Sequence, residues 1–242
     1  MLPVSEFKPK ILAVVPARGG SKGIPRKNLQ IVGDLSLVAR AARCARECGI
    51  CDAMVLSTDD EEIAAEGRAH GLAVPFMRTA ELASDAASSV DMWRDAWLRS
   101  ESAFDTRFDI SVLLEPTSAL RRPSDIEIVV DRLVRTGAAA AATFSATPAH
   151  FSPEKTLTVD NAGRVGFYLP DGAKYARRQL IPSYYHRNGL CYAVRRETLI
   201  VKGHIIEEDC AAVIVDRPVV NIDDPLELEL ARFLLARDGG DQ

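Results

Sequence analysis

Apolar runs alternate with helical patterns along the first 144 residues. The runs predict strands at 11–15, 53–57, 73–76, 109–114 and 139–144, and the 3.6-residue periodicity predicts helices at 36–48, 60–70, 85–99 and 124–136. Two more strands are expected at 190–194 and 211–215, followed by a last helix over Pro225–Ala236. This alternation is typical of βαβ units, so we predict an α/β fold with a mostly parallel sheet and helices on both faces.

Capping residues support these helix boundaries. Asp59 or Asp60 precedes the second helix, Ser84-Asp85 precedes the third, and Asp224 precedes the last. Gly49, Gly71 and Gly137 follow the predicted ends of three helices, where a left-handed residue commonly stops a helix.

The pattern changes between residues 147 and 188. This stretch contains four prolines and the turn pairs Asp160-Asn161 and Asp171-Gly172, with only short alternating runs between them. Such a pattern indicates hairpins or long loops and not another βαβ unit. We therefore predict one domain over residues 1–242 that contains an irregular excursion at 147–188.

Composition excludes several classes of protein. The 242 residues carry a formal net charge of −4, so nothing favours a nucleic-acid partner. We find no apolar run long enough to cross a membrane and no signal-peptide core near the start, and we expect a cytoplasmic protein. The cysteines lack the spacing of a structural zinc site and are expected to be reduced thiols: Cys44, Cys48, Cys51, Cys191 and Cys210.

The most informative chemistry follows the first predicted strand. Ile11–Val15 leads into a loop that combines three glycines with the cations Arg18, Lys22, Arg26 and Lys27. Glycines let backbone N–H groups approach a polyanion, and the cations neutralise it, so this loop predicts a phosphate site. The loop contains neither a Walker A sequence nor a G-x-G-x-x-G fingerprint. A solvated basic turn is the alternative interpretation.

The loop resembles the A-R-x-x-S-K-x-x-x-x-K-N signature of cytidylyltransferases that activate 3-deoxy-ulosonic acids, with Ala17, Arg18, Ser21, Lys22, Lys27 and Asn28 at the matching positions. The segments at 56–64, 78–89, 113–121, 177–194 and 219–231 are similar, in the same order, to motifs of the CMP-sialate (acylneuraminate, or nonulosonate) branch. That branch is related to the CMP-Kdo synthetases. The resemblance covers about residues 10–236.

The resemblance implies a Rossmann-like enzyme that transfers CMP from CTP to the anomeric hydroxyl of a nonulosonic acid and releases pyrophosphate. It implies Mg²⁺ or Mn²⁺ as cofactor and a homodimer in which the excursion at 147–188 reaches over the partner's active site. The expected catalytic residues are Arg18, Lys27 and Asp223. The expected nucleotide-binding residues are Ala17, Ser21, Lys22, Asn28, Arg78 and Ser84.

The expected metal site departs from the family pattern. The family commonly has D-x-D where this chain has Asn221-Ile222-Asp223, so Asp223 is the predicted metal ligand and Asn221 offers a neutral carbonyl. Asp224 is expected to cap the helix and not to bind the metal.

The sugar pocket is expected from two segments of the chain. Glu115 stands where most family members have Gln, and an ionised Glu accepts hydrogen bonds but cannot donate them. It is expected to contact a hydroxyl or amino group of the sugar, or alternatively to pair with an arginine such as Arg121. The complete expected set is Glu115, Thr117, Ser118, Arg121, Arg178, Gln179, His186, Arg187 and Asn188.

Two other functions remain open from the sequence. A CMP-Kdo synthetase is disfavoured because LLEPTSALR at 113–121 resembles the nonulosonate branch. A nucleotide-binding homologue with impaired catalysis is suggested by Glu115 and Asn221, whereas Arg18, Lys27 and Asp223 oppose it.

Overall fold

A computed structural model describes residues 8–175, 177–206 and 209–238. The chain divides into two compact units. The first comprises the described parts of 1–143, 188–213 and 218–242, and the second comprises 144–187 and 214–217. The single-domain organisation expected from the sequence stays a prediction.

A six-stranded sheet organises the fold, with helices along the chain between its strands. Its strands are β1 (Ile11–Pro16), β4 (Ala53–Ser57), β5 (Ile110–Leu113), β6 (Ala140–Ala146), β9 (Tyr185–Arg195) and β10 (Cys210–Ile214). The strand order is β10-β6-β9-β5-β1-β4. Strand β1 is parallel to its neighbours β4 and β5, and β9 is antiparallel to β5. The mostly parallel α/β sheet predicted from the sequence is confirmed.

The two faces of β1 are covered by different helices. The helices are α1 (Leu37–Glu47), α2 (Glu61–Ala69), α3 (Ala80–Ala83), α4 (Ser89–Phe104), α5 (Pro123–Thr136) and α6 (Pro225–Asp238). Ala13 and Val15 belong to the core cluster that includes α1 and α5, whereas Leu12 and Val14 belong to the cluster that includes α4. Successive strand residues point to opposite faces, so helices on both faces explain the unbroken apolar run.

The capping predictions are confirmed at two helices and wrong at one. Asp60 caps α2 by accepting from the backbone N–H groups of Glu62 and Ile63. Asp224 accepts from the N–H of Glu227, whose carboxylate accepts from the N–H of Asp224, which is a capping box at α6. The third predicted helix, however, begins at Ser89 and not at residue 85, because Ser88 is the residue that caps it.

The strand expected at 73–76 does not form. Ala73 makes a single parallel bridge to Val55, and the pairing stops there. Pro75 lacks an N–H group and cannot continue the ladder. Conversely, a short hairpin of β2 (Ile31–Val32) and β3 (Leu35–Ser36) was not predicted, since its strands are too short for an alternating pattern.

The second unit contains the irregular excursion predicted at 147–188. Its regular elements are an antiparallel hairpin, β7 (Leu157–Val159) with β8 (Val165–Phe167), and several 3₁₀ turns. Asp160 closes the hairpin by accepting from the N–H groups of Ala162 and Arg164. Short hairpins and loops are thus confirmed in this stretch. Among the described residues no helix is long and apolar enough to cross a membrane.

Candidate active site

A cleft of about 330 Å³ opens where β1 and β5 end. Its wall includes Pro16 at the end of β1 and Pro116 beyond the end of β5. The carboxyl ends of parallel strands are where open α/β sheets bind their ligands. Many of the residues predicted from the sequence line this one cleft: Arg18, Lys27, Asn28, Arg78, Ser84, Glu115, Thr117, Asn221 and Asp223.

Two cations of the glycine loop share one carboxylate at the cleft. Arg18 Nη1 lies 2.8 Å from Asp85 Oδ1, and Lys22 Nζ lies 2.6 Å from Asp85 Oδ2. Hydrogen bonds from Lys22 and Arg18 hold the pKa of Asp85 below its usual value. The sequence predicted Asp85 as part of a helix cap, and its contact with the loop was not predicted. Because these ion pairs are solvent-exposed, they are weak enough for a triphosphate to replace the carboxylate.

The third loop cation reaches the acidic segment near the end of the chain. Lys27 Nζ lies 2.9 Å from Asp223 Oδ1, and its side chain is mostly buried. Asn221 Nδ2 donates to the other carboxylate oxygen of Asp223 at 3.0 Å. The structure therefore joins the predicted phosphate ligand Lys27 to both predicted metal-site residues in one hydrogen-bonded row.

The glycine loop touches the main chain of that segment as well. A Cβ atom added at Gly23 would lie well under 3.0 Å from the carbonyl oxygen of Asp223, whereas one added at Gly20 would meet nothing within 4 Å. Asn28 is buried and donates from Nδ2 to the carbonyl of Arg18 at 2.9 Å. Gly23 and Asn28 thus fix where the loop lies relative to Asp223.

Arg26 serves a different purpose from the other loop cations. Its Nη1 lies 2.5 Å from Asp60 Oδ2, and it also pairs with Glu62 at the start of α2. These carboxylates raise the pKa of Arg26. Arg26 has a left-handed backbone, with φ of 51°, and anchors the loop to α2. Ser21 lies on the same loop without lining the cleft.

Three of the expected nucleotide-binding residues use hydrogen-bond donors within the protein. The Ala17 N–H donates to the Ser57 carbonyl at 3.0 Å, and Ser84 Oγ donates to the Glu81 carbonyl at 2.7 Å. Arg78 is buried with Nε on Ser57 Oγ at 3.1 Å, and burial lowers its pKa to about 10. Base recognition at these positions would therefore use carbonyl and hydroxyl oxygens, with Arg78 stiffening the wall.

Oxygen atoms of three side chains, from two segments of the chain, converge beside Gly189. The position of a Cβ at Gly189 would lie 2.8 Å from Ser118 Oγ, 3.1 Å from Glu115 Oε2 and 3.5 Å from Asn221 Oδ1. Gly189 has φ of +75°, which favours glycine on backbone grounds too. Ser118 Oγ is buried with no hydrogen-bond partner among the described residues. Gly189 lies inside the motif at 177–194, but the residues around it in the sequence do not indicate that it approaches Ser118, Glu115 and Asn221.

Arg121, which was predicted to line the sugar pocket, is held by main-chain carbonyl groups. Its guanidinium is buried, with Nη2 donating to the Glu115 carbonyl at 2.6 Å and Nε donating to the Leu190 carbonyl. Burial lowers the pKa of Arg121. By contacting the Glu115 main chain, Arg121 supports the segment that lines the cleft. Asn188 is also buried and accepts from the Leu190 N–H at 3.3 Å.

We expect Arg121→Ala to lower the free energy of unfolding by about 3–5 kcal/mol, because three backbone carbonyls would lose a buried charged donor. Chemical denaturation monitored by circular dichroism measures this change. Arg122→Ala is the matched control, since that neighbouring side chain is exposed and its N–H contact with Asp125 is kept. An Arg121 variant as stable as the control would show that Arg121 is not structural.

The remaining predicted sugar contacts lie in or beside the second unit. Gln179 and Arg187 are exposed, and His186 Nδ1 lies 3.1 Å from Thr147 Oγ1. Arg178 begins a short 3₁₀ turn, and its side chain lies outside the described part of the structure. These residues stay predictions for the sugar site.

The family follows from the match to known proteins. A family model described as cytidylyltransferase matches residues 12–208. The chain belongs to the cytidylyltransferase family. It is 31% identical over 227 residues to the post-translational flagellin modification protein B of Campylobacter coli, covering 93% of this chain and 95% of that protein. It is 28% identical over 230 residues to the CMP-N,N'-diacetyllegionaminic acid synthase of Legionella pneumophila, with 93% and 96% covered.

A solved structure gives the same fold. The CMP:2-keto-3-deoxy-manno-octonic acid synthetase complexed with CTP superimposes with a TM-score of 0.70 at 21% identity, covering 95% of this chain and 99% of that one. The recognition made from the sequence motifs is therefore confirmed, as are the nucleotidyltransferase class and the Rossmann-like fold.

Asp223 and Asn221 are the two cleft residues predicted to bind a divalent ion. Within the described ranges there is no group of three or more His, Cys, Asp or Glu side chains that could hold a metal. Asp223 is exposed in the cleft, and Asn221 is its hydrogen-bonded neighbour. One carboxylate and one amide fit Mg²⁺, which takes most of its ligands from phosphate and water.

Proposed function

We propose that the protein transfers CMP from CTP to the anomeric hydroxyl of a nonulosonic acid and releases pyrophosphate. The observation that carries the proposal is the meeting of Arg18, Lys27 and Asp223 in one cleft, from segments about 200 residues apart. The names of the relatives support the sugar class, since they include a legionaminic acid synthase and N-acylneuraminate and pseudaminic acid cytidylyltransferases.

The proposed reaction requires the protein to neutralise the negative charge of the triphosphate. A triphosphate brings several negative charges into a cleft whose acids already pair with the loop cations. When CTP binds, Arg18 and Lys22 would release Asp85 and contact phosphate oxygens instead. A bidentate contact between a guanidinium and a phosphate is stronger than an ion pair with an exposed carboxylate. Lys27 would face the phosphates from its position beside Asp223. These contacts strengthen as negative charge moves onto the departing pyrophosphate.

Asp223 and Asn221 are the residues that would hold the divalent ion. When bound, Mg²⁺ or Mn²⁺ would neutralise phosphate oxygens. Lys27 orients one carboxylate oxygen of Asp223, and Asn221 fixes the other. A chain that retains this arrangement is better explained as an active enzyme than as an impaired nucleotide-binding homologue.

The sugar would bind on the side of the cleft formed by Glu115 and Thr117, with Ser118 and Gly189 behind them. Glu115 accepts hydrogen bonds, so it suits a hydroxyl or amino substituent and repels the sugar's own carboxylate. Arg178 or Arg187 would bind that carboxylate.

We propose a homodimer in which the excursion at 147–188 brings the Arg178 and Arg187 side chains to the partner's cleft. Light scattering should give twice the chain mass, and a fully active monomer would refute this assembly.

The test of the function is pyrophosphate release in the presence of Mg²⁺ with CTP and a panel of sugar acids. We expect release with CTP and N-acylated nonulosonic acids, and little with ATP, GTP or UTP. Release with Kdo alone would support the CMP-Kdo alternative. Failure with every sugar while CTP still binds would support the impaired homologue.

We place the reaction in the cytoplasm, in keeping with the five free cysteines of the described chain.

Arg18→Ala is expected to lower kcat roughly 30-fold, because a charge-assisted contact of ~2 kcal/mol is lost mainly in the transition state. The fold increase in KM for CTP should not exceed the fold decrease in kcat. Arg43→Ala is the control, since Arg43 pairs with Asp34 outside the cleft and should leave turnover at the wild-type value. If the Arg18 variant has wild-type turnover at saturating CTP, Arg18 has no catalytic role.

Glu115→Gln is expected to change the preference among sugars and to leave KM for CTP nearly unchanged. The amide adds a donor where the carboxylate could only accept, so sugars with different substituents should respond differently. The measurement is kcat/KM for at least three nonulosonic acids with each enzyme. An equal fold-change for every sugar would mean that Glu115 does not contact the substituent.

A further inference from the structure

The turn that follows α1 brings two cysteines together. The sequence Cys48-Gly49-Ile50-Cys51 leaves the helix through Gly49, whose φ of +65° reverses the chain. The two sulfur atoms lie 3.8 Å apart. Such a separation is too long for a covalent bond and places the two thiols in direct contact.

We propose that Cys48 and Cys51 are a reversible redox pair that forms an intramolecular disulfide when the protein meets a peroxide or a low-molecular-weight disulfide. Cytosolic disulfides that form transiently are mostly catalytic or redox-sensing, and Cys-x-x-Cys is one of the sequence settings in which a thiol becomes reactive.

The surroundings assign different roles to the two thiols. The S–H of Cys51 and the backbone N–H groups of Ile50 and Cys51 favour the thiolate at Cys48 and lower its pKa, although burial opposes this. The same contact and burial raise the pKa of Cys51. Cys48 is therefore the nucleophile, and Cys51 keeps its proton until the second step.

Access to the pair comes from a groove of about 500 Å³ on the side of Cys51. Cys51 lines this groove together with Lys10, Met54 and Phe108, and its side chain is partly exposed. Cys48 is buried, as are Cys44 and Cys191, but its sulfur lies beside the thiol of Cys51, which reaches the groove. Burial raises the pKa of the Cys44 and Cys191 thiols. Selective oxidation should therefore fall on the Cys48–Cys51 pair.

The chemistry balances with peroxide as oxidant. The Cys48 thiolate attacks one peroxide oxygen, forming a sulfenic acid, and the hydroxide that leaves takes up a proton to become water. The Cys51 sulfur then attacks the Cys48 sulfur, and the displaced hydroxide leaves with the Cys51 proton as a second water. Two thiols and one peroxide thus yield one disulfide and two waters. A low-molecular-weight disulfide would instead pass through a mixed disulfide and release two thiols.

The pair lies at the end of the sheet away from the active site. Cys51 precedes β4, and its neighbour Asp52 accepts from the Ile11 N–H at the first residue of β1. The catalytic cleft opens at the last residue of β1. Oxidation of the pair is therefore independent of the proposed reaction, and transferase activity is not needed to detect it.

The experiment treats the full chain with hydrogen peroxide, quenches it in acid, alkylates it with N-ethylmaleimide and digests it with trypsin. Cleavage after Arg46 and Arg68 releases one peptide that carries both cysteines. We expect this peptide to lose the mass of two hydrogen atoms and to take up no maleimide. Reduction with dithiothreitol should restore two alkylation sites.

Two variants and a control complete the test. Cys48→Ser should leave Cys51 alkylatable after peroxide, whereas Cys210→Ser should still form the disulfide, since Cys210 is partly exposed but has no cysteine beside it in the described structure. Maleimide on both cysteines after oxidation, a Cys48 sulfinic acid, or a disulfide to another cysteine would overturn the proposal. The wild-type peptide mass decides the question even if a variant fails to fold.

Discussion

Asp223→Asn is expected to reduce turnover at saturating CTP by about 1,000-fold, because the substitution removes the one carboxylate that the acidic segment offers the divalent ion. The neighbouring Asn221 is neutral, so no second acid in the motif compensates. The Lys27 side chain would also lose the negative charge of its partner at 2.9 Å. Steady-state kinetics at several Mg²⁺ concentrations measure the loss.

The control for this prediction is Asp224→Asn. Asn caps helices as well as Asp does, so the capping box of α6 should persist and turnover should stay near the wild-type value. Binding of Mn²⁺ in the presence of CTP, followed by electron paramagnetic resonance, provides a readout besides activity. If Asp223→Asn keeps its turnover and its Mn²⁺ affinity, the metal ligand lies elsewhere.

Gly23→Ala is expected to lower kcat/KM for CTP about 100-fold, because the new methyl group would separate the phosphate loop from the acidic segment. A Cβ at Gly23 meets the carbonyl of Asp223, which is main chain and cannot rotate away. The distance between Lys27 and Asp223 would change together with the loop. The same overlap should cost about 1–3 kcal/mol of stability.

Gly20→Ala is the matched substitution three residues earlier in the loop. Nothing lies within 4 Å of the position its Cβ would take, so the unfolding free energy should change by less than ~1 kcal/mol. Thermal and chemical denaturation of the two variants in parallel separate contact with Asp223 from general loop effects. Equal stability for both would show that the loop tolerates displacement from Asp223.

Much of this architecture could be predicted because its signals are local. The apolar run of β1 is long and buried on both faces, and the basic glycine loop follows it directly. Asp60 and Asp224 could be recognised as caps because capping depends on residues two or three positions away. The order of motifs along the chain then sufficed to indicate the family.

What could not be predicted depends on contacts between distant segments. Nothing near Gly23 in the sequence indicates that it touches Asp223, 200 residues later. Arg121 carries the same charge as a substrate-binding arginine, and only its burial on three carbonyls reveals a structural role. Ser88 and Ser84-Asp85 are similar caps by composition, so the true start of α4 depended on packing.

The fate of the three phosphates of CTP tests the proposed reaction most directly. The enzyme is incubated with Mg²⁺, an N-acylated nonulosonic acid and CTP carrying ³²P at either the α or the γ position. We predict that the α label appears in a CMP-sugar and the γ label in pyrophosphate, in equal amounts and only when the sugar is present. Transfer of the γ label to the sugar, or release of the α label as free CMP without a sugar adduct, would contradict the proposed cytidylyl transfer.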